Sequence, residues 1–307
     1  MKSKATFLGA ALALGCVGAI GLSQRADATC SDGILCSAES FAVLGASAVT
    51  NTDATTIYGN LGIDPNGLSS ITGFPPGVVL HGTTDAANGV ALTARNDAMN
   101  AYNTLAGLTA PLANNLTGQD LGGLVLTPGA SGVGVYKYDS SAQLTGTLTL
   151  DFTGKNQDIV VQIGSTLTTA GASKVIINGA GPTDGVFFDV GSSATLGTTT
   201  SFEGNILALQ SITLDTGATI LCGRAIALNG AVTMDTNKVS DNCKGNGSLG
   251  SGVKDRGGFS GGNFGGSTTR APEINPASAA SALTLLLGSL LVLRGRMRVL
   301  PSRSSVA

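Results

Sequence analysis

Hydroxyl side chains are the residues whose spacing stands out in this chain. Short runs of β character recur from about residue 144: Gly146-Thr147-Leu148-Thr149-Leu150, Ser165-Thr166-Leu167-Thr168, Ser193-Ala194-Thr195-Leu196, Ser211-Ile212-Thr213-Leu214 and Ala231-Val232-Thr233-Met234. The last Thr of each falls at 149, 168, 195, 213 and 233, in steps of 19, 27, 18 and 20. A hydroxyl donates and accepts hydrogen bonds, and it becomes a nucleophile only beside a base. The single histidine, His81, counts against chemistry built on a His pair or a His-rich metal cluster, and it reads as a loop or packing residue. Polysaccharide cleavage would need clustered acids or a Lys/Arg base in a groove, and the cations of the central region are scattered. Asp151, Asp189, Asp215 and Asp235 read as turn residues, because no Asp-rich calcium loop surrounds them. The expectation is a protein that is not an enzyme, with no cofactor and no metal.

The hydroxyls need strands to hold them. Side chains alternate faces along a strand, so Leu148, Leu167, Ala194, Ile212 and Val232 should share a buried face. The opposite face should carry Thr147, Thr149, Thr166, Thr168, Ser193, Thr195, Ser211, Thr213 and Thr233 on one wall. Steps near 20 residues with one such strand each suggest a solenoid, whose neighbouring coils lie about 4.8 Å apart. The apolar runs 186–190, 202–209 and 220–228 would form the other walls, with Gly197, Gly217 and Gly230 at corners. Ala87, Val90, Ala91, Ala94, Ala98, Tyr102 and Leu105 recur at helical spacing, so a long amphipathic helix is expected here, capped by Thr84 or Asp85. Exposed strands commonly carry charge, yet no Lys or Glu occupies the outward positions of the ladder. Such a wall is either a partner interface or a surface that orders water.

Composition and the chain ends set the frame. The chain has 307 residues, 45 of them Gly, no Trp, and only 12% charged side chains. Gly, Thr and Ser in bulk favour β-structure with tight turns over helix. Residues 1–28 read as a secretory leader: Lys2 and Lys4, an apolar stretch, then the small-x-small site Ala26-Asp27-Ala28. Residues 244–271 hold ten Gly among Ser and Asn and form a tether. Residues 272–307 begin with Pro272-Glu273, continue through an apolar run at 277–293 and end in Arg294, Arg296 and Arg298. The folded part is therefore 29–243. It carries six Lys+Arg against sixteen Asp+Glu, so 6 − 16 = −10. An acidic body excludes nucleic acid as a partner, since phosphates need cationic surface. Cys30, Cys36, Cys222 and Cys243 are an even set suited to disulfides in an oxidising compartment. Four cysteines allow three pairings, and the order along the chain does not choose among them.

Two resemblances follow. The tail is similar to the bacterial PEP C-terminal sorting signal, although Ile274 stands where a second Pro is common. The likeness implies transient membrane contact, then cleavage and release to the cell surface or matrix; a permanent membrane anchor is the alternative. The folded part resembles the microbial ice-binding protein family over about 37–240. The residues that carry it are Phe41-Ala42-Val43-Leu44, Val49-Thr50-Asn51-Thr52, Ile57-Tyr58-Gly59-Asn60-Leu61-Gly62-Ile63, Ile71-Thr72-Gly73-Phe74-Pro75-Pro76-Gly77, Ala101-Tyr102, Leu126-Thr127-Pro128-Gly129, Val135-Tyr136 and the block 186–235. Membership implies a mainly β fold: a right-handed, discontinuous β-solenoid of roughly triangular cross-section, with one long α-helix alongside. Residues 130–134 depart from the family pattern and are expected to widen a loop. The implied partner is the surface of an ice crystal, bound through the Thr/Ser wall. A surface adhesin that meets a matrix polysaccharide or a cell-surface protein is the alternative.

Overall fold

The computed structural model describes residues 33–154, 156–181 and 184–242. The leader, the tether, the sorting segment, Cys30 and Cys243 therefore lie outside the described residues. No helix among the described residues is long and apolar enough to cross a membrane.

Strands of three to five residues, cut by abrupt corners, are what the chain from 194 onward builds. Ala194–Leu196, Ser201–Glu203, Asn205–Ala208, Ile212–Leu214, Thr219–Leu221, Ala225–Ala227, Ala231–Asp235 and Lys238–Ser240 visit three sheets in a fixed rotation. Each strand pairs in parallel with the strand one turn away. Among the described residues the result is mainly β: three parallel sheets of eight, seven and eight strands, and one α-helix. The run 202–209 does not form a single wall. It breaks at Gly204, whose φ of +116° turns the chain from one sheet to the next in one residue. Gly59 makes the same corner at φ +117°. A Cβ at Gly204 would stand 2.6 Å from Val186 Cγ1, so both backbone and space require glycine. The run 220–228 likewise splits, at Cys222-Gly223.

Coil order in space does not follow chain order. Phe41–Gly45, Ala48–Thr52 and Thr56–Tyr58 pair with Ala225–Ala227, Ala231–Asp235 and Lys238–Ser240. From there the chain winds outward to Thr84–Ala86 at one sheet end, and winding resumes at Val125–Leu126 and Val133–Tyr138 at the other. The helix Gly89–Ala106 lies between these two stretches. Its 18 residues reach about 27 Å, and eight stacked strands span about 34 Å. Arg224 fastens the central junction. It is fully buried, donating from Nε to the Glu39 carbonyl at 2.9 Å and from Nη1 to Asn205 Oδ1 at 2.9 Å.

The helix covers one of the eight-stranded sheets, and that accounts for the unbroken apolar strands there. Val186, Phe188 and Val190 face the interior between the sheets, while Phe187, Val160, Leu207 and Ile226 face the helix. The helix presents Leu105 and four alanines, Ala91, Ala94, Ala98 and Ala101, whose small side chains allow close approach. Its start corrects the expected cap: Thr84–Ala86 is an edge strand paired with Leu61, Gly62 and Ile63, and Asn88 caps the helix by accepting from Ala91 N at 2.9 Å. Val90 faces solvent. At the other end Gln162 Nε2 donates to the Leu105 and Leu108 carbonyls at 2.7 and 2.8 Å, tying the sheet to the end of the helix and the chain just after it. The stretch 130–134 widens no loop beyond a short turn, because Val133 and Gly134 pair with Asp158 and Ile159 as the start of a strand.

Candidate functional site

The seven-stranded sheet carries the threonines. Its outward central column runs Gln143, Thr168, Thr195, Thr213, Thr233, Thr50, Thr72, each directly opposite the next in register. Their inward neighbours Leu167, Ala194, Ile212, Val232 and Val49 are buried in the core, which locks the phase of every strand. Six intervals of about 4.8 Å give a column about 29 Å long. No member of the column is charged, and none is buried. The hydroxyls of Thr168, Thr195 and Thr213 make no hydrogen bond to protein among the described residues, whereas Thr50 and Thr233 share one at 3.3 Å.

Thr166, Ser193 and Ser211 form a flanking column with Ser141, and here the hydroxyls are engaged. Thr166 Oγ1 donates to Ser141 Oγ at 2.9 Å; Ser193 Oγ accepts from Ser211 N at 3.3 Å, and Ser211 Oγ from Ala231 N at 3.2 Å. Each ties one coil to the next. At the other border of the wall buried polar side chains do the same. Thr169 and Thr200 hydroxyls lie 2.7 Å apart, Ser173 Oγ donates to Leu144 O at 2.9 Å, and Asn237 Nδ2 donates to the Asp215 and Ala218 carbonyls, both at 2.9 Å. Both borders of the wall are thus pinned by hydrogen bonds between coils, all but the exposed Thr166–Ser141 bond buried or half-buried, which favour one rigid arrangement. Asp215 and Asp235 stand beside the column, and Asp235 accepts from the Thr216 hydroxyl.

The single-wall expectation fails for two residues. Thr147 and Thr149 belong to Thr147–Asp151 in the third sheet, where they pair with Lys174 and Ile176. That sheet carries Lys174, Lys238 and Glu203, with Val125 and Val78 exposed at its two edge strands, so it is neither uncharged nor uniform. Glu203 accepts from Ile177 N at 2.8 Å, and burial still raises its carboxyl above the ordinary range. The coil containing Thr147 contributes Gln143 to the ladder instead. The column also takes in Thr50 and Thr72, which lie far before the run of repeats that begins near residue 144. Ala48-Val49-Thr50 and Ser70-Ile71-Thr72 repeat the pattern of Ala231-Val232-Thr233 and Ser211-Ile212-Thr213, and that triplet is the signal that finds them.

Other candidates are placed as follows. His81 stacks on Tyr58 with ring centroids 6.2 Å apart, in a turn of positive φ. Cys36 and Cys222 are both disulfide-bonded. Among the described residues no group of three or more His, Cys, Asp or Glu gathers where a metal could sit.

The three-sheet fold has counterparts among known proteins. Residues 43–240 match the ice-binding-like family along almost the whole of the described region. The chain belongs to that family. An ice-binding protein of Nostoc sp. (strain HG1) is 56% identical over 212 residues, covering 68% of this chain and 74% of that protein. Among solved structures, an ice-binding protein from an Antarctic biological consortium superposes with a TM-score of 0.61 at 44% identity, covering 69% of this chain and 92% of that one. The ice-binding protein of the Antarctic ascomycete Antarctomyces psychrotrophicus gives a TM-score of 0.61 at 38% identity, with 68% and 98% covered. The ice-binding-like match spans both the N-terminal strands and the C-terminal ones that stack on them, so it covers the complete ladder.

Proposed function

We propose that this chain binds ice through the seven-stranded sheet and does so without catalysis. The observation that carries the proposal is the central column: six threonines in direct register, with no charge among them and with pinned borders. Methyl and hydroxyl groups at a fixed repeat hold water in an ordered layer before contact, which lowers the ordering cost when that layer joins a crystal. Strongly hydrated charges would hold water in competing orientations, and the column has none. The contact residues are Thr168, Thr195, Thr213, Thr233, Thr50 and Thr72, flanked by Thr166, Ser193 and Ser211. Adsorbed protein then restricts crystal growth between anchoring points.

The winding of three sheets is read as a right-handed β-solenoid of triangular cross-section, in which one whole side would be offered to the crystal. The leader at 1–28, the tether at 244–271 and the sorting-like tail fit export and presentation at the cell surface, where extracellular ice would be met. Ice recrystallisation in the presence of purified protein tests the proposal. Grain growth should slow markedly, and unchanged growth beside well-folded protein would overturn it.

A further inference from the structure

One cleft lies apart from the threonine wall. It has a volume of about 440 Å³ and sits under the C-terminal end of the helix. Tyr102 and Ala106 of the last helical turns bound it on one side, Lys137 and Asp139 at the sheet edge on another, with Gln162 and Asp189 along the floor. Asp189 is 4% exposed, and its Oδ1 is buried without a hydrogen-bond partner. Alternation puts it there: Val186, Phe188 and Val190 of Gly185–Val190 point into the core, so Asp189 points to the helix side.

The groups around this carboxylate leave it uncompensated. Gln162, its neighbour across one strand pair, spends its amide N–H groups on the helix-end carbonyls. Leu207, its neighbour on the other side, is apolar. Lys137 is held by Asp139 at 2.7 Å. Tyr102 is the titratable group the helix offers, and its hydroxyl is raised by burial and by the charge of Asp189. Burial alone pushes Asp189 up to about 7. The helix C-terminus adds negative potential from above. A donor that carries positive charge is what the site lacks, and Tyr102 and Ile163 offer an apolar lining for a short carbon body.

We infer that this cleft binds a small primary alkylammonium ion, its ammonium on Asp189 and its carbon body against Tyr102. The site is independent of the ice-facing wall. The experiment titrates n-propylammonium into the purified full chain and follows the amide signals of Gln162 and Gly191 by NMR. n-Propanol and sodium ion serve as neutral and purely ionic controls. Saturable shifts with n-propylammonium are expected at millimolar concentration, as suits so small a ligand. Only about 3% of a carboxyl with a pKa of about 7 is ionised at pH 5.5, so apparent affinity should fall about thirtyfold between pH 8.5 and 5.5. Asp189→Asn should abolish the shifts. Ala106→Phe, at an exposed helix position over the cleft, should block them without touching the carboxylate. Equal shifts with n-propanol or sodium ion would overturn the inference. So would undiminished binding in either variant, affinity independent of pH, or no saturation by about 100 mM.

Discussion

Thr213 is the most informative position on the wall, because it sits between Thr195 and Thr233 at mid-column. Its side chain points outward, and Tyr is a good strand residue, so Thr213→Tyr should change fold stability by no more than about 0.5 kcal/mol. The phenol would rise about 4 Å above the threonine methyls, more than one water–water hydrogen-bond spacing of about 2.8 Å. It would spoil the two intervals beside it, out of six along the column. Ordering a water costs up to about 2 kcal/mol, so the two intervals represent up to about 4 kcal/mol of lost preorganisation. A loss of only 1.4 kcal/mol is tenfold in affinity. The concentration needed to inhibit recrystallisation should therefore rise at least about tenfold. Thr149→Tyr is the matched control, since Thr149 lies in the third sheet, and its inhibition should equal that of the parent. Full inhibition by a folded Thr213→Tyr protein, or loss in Thr149→Tyr alone, would refute the assignment of the wall.

Arg224→Ala leaves the Asn205 and Glu39 acceptors buried without the donors Arg224 gave them, and should cost about 3–5 kcal/mol, seen as a Tm lowered by about 6–20 °C. Gly204→Ala forces a side chain into a positive φ and onto Val186, so a loss of about 1–3 kcal/mol is expected in denaturant unfolding. Asn88→Ala removes the helix cap and should cost about 1 kcal/mol by the same measure. Asp189 has a folded pKa of about 7 against 3.8 when unfolded, so the native state holds its proton more tightly. Its contribution is present in full below about pH 4 and lost as pH rises towards 7, by up to about 4 kcal/mol. Asp189→Asn should flatten the fall in stability across that window, and an unchanged pH profile would contradict this.

Much of the architecture was legible in the sequence because one rule, alternation along a strand, fixed which side chains go inward. Leu148, Leu167, Ala194, Ile212 and Val232 are all buried as that rule requires. What alternation cannot say is which of three walls a strand joins. Thr147-Leu148-Thr149 has the same inward–outward pattern as the ladder strands, yet the corner at Thr145-Gly146 carries it to the third sheet. The step of 19 from 149 to 168 therefore joined two walls, whereas the true neighbours are 143 and 168. Thr50 and Thr72 were obscured for another reason. They reach the ladder through stacking of N-terminal coils on C-terminal ones, a contact across 183 residues between Thr50 and Thr233. The helix is recognisable from its Ala periodicity, but its start is not, because Thr84 and Asp85 are equally good caps locally and only pairing with Leu61 and Gly62 makes them strand.

The central claim is that the ladder wall adsorbs to ice. A single ice crystal grown slowly in a solution of fluorescently labelled protein tests it most directly. The account predicts that labelled protein is incorporated into the growing ice, while the folded Thr213→Tyr variant is largely excluded. Rejection of the folded parent protein into the liquid, as for an ordinary solute, would contradict it.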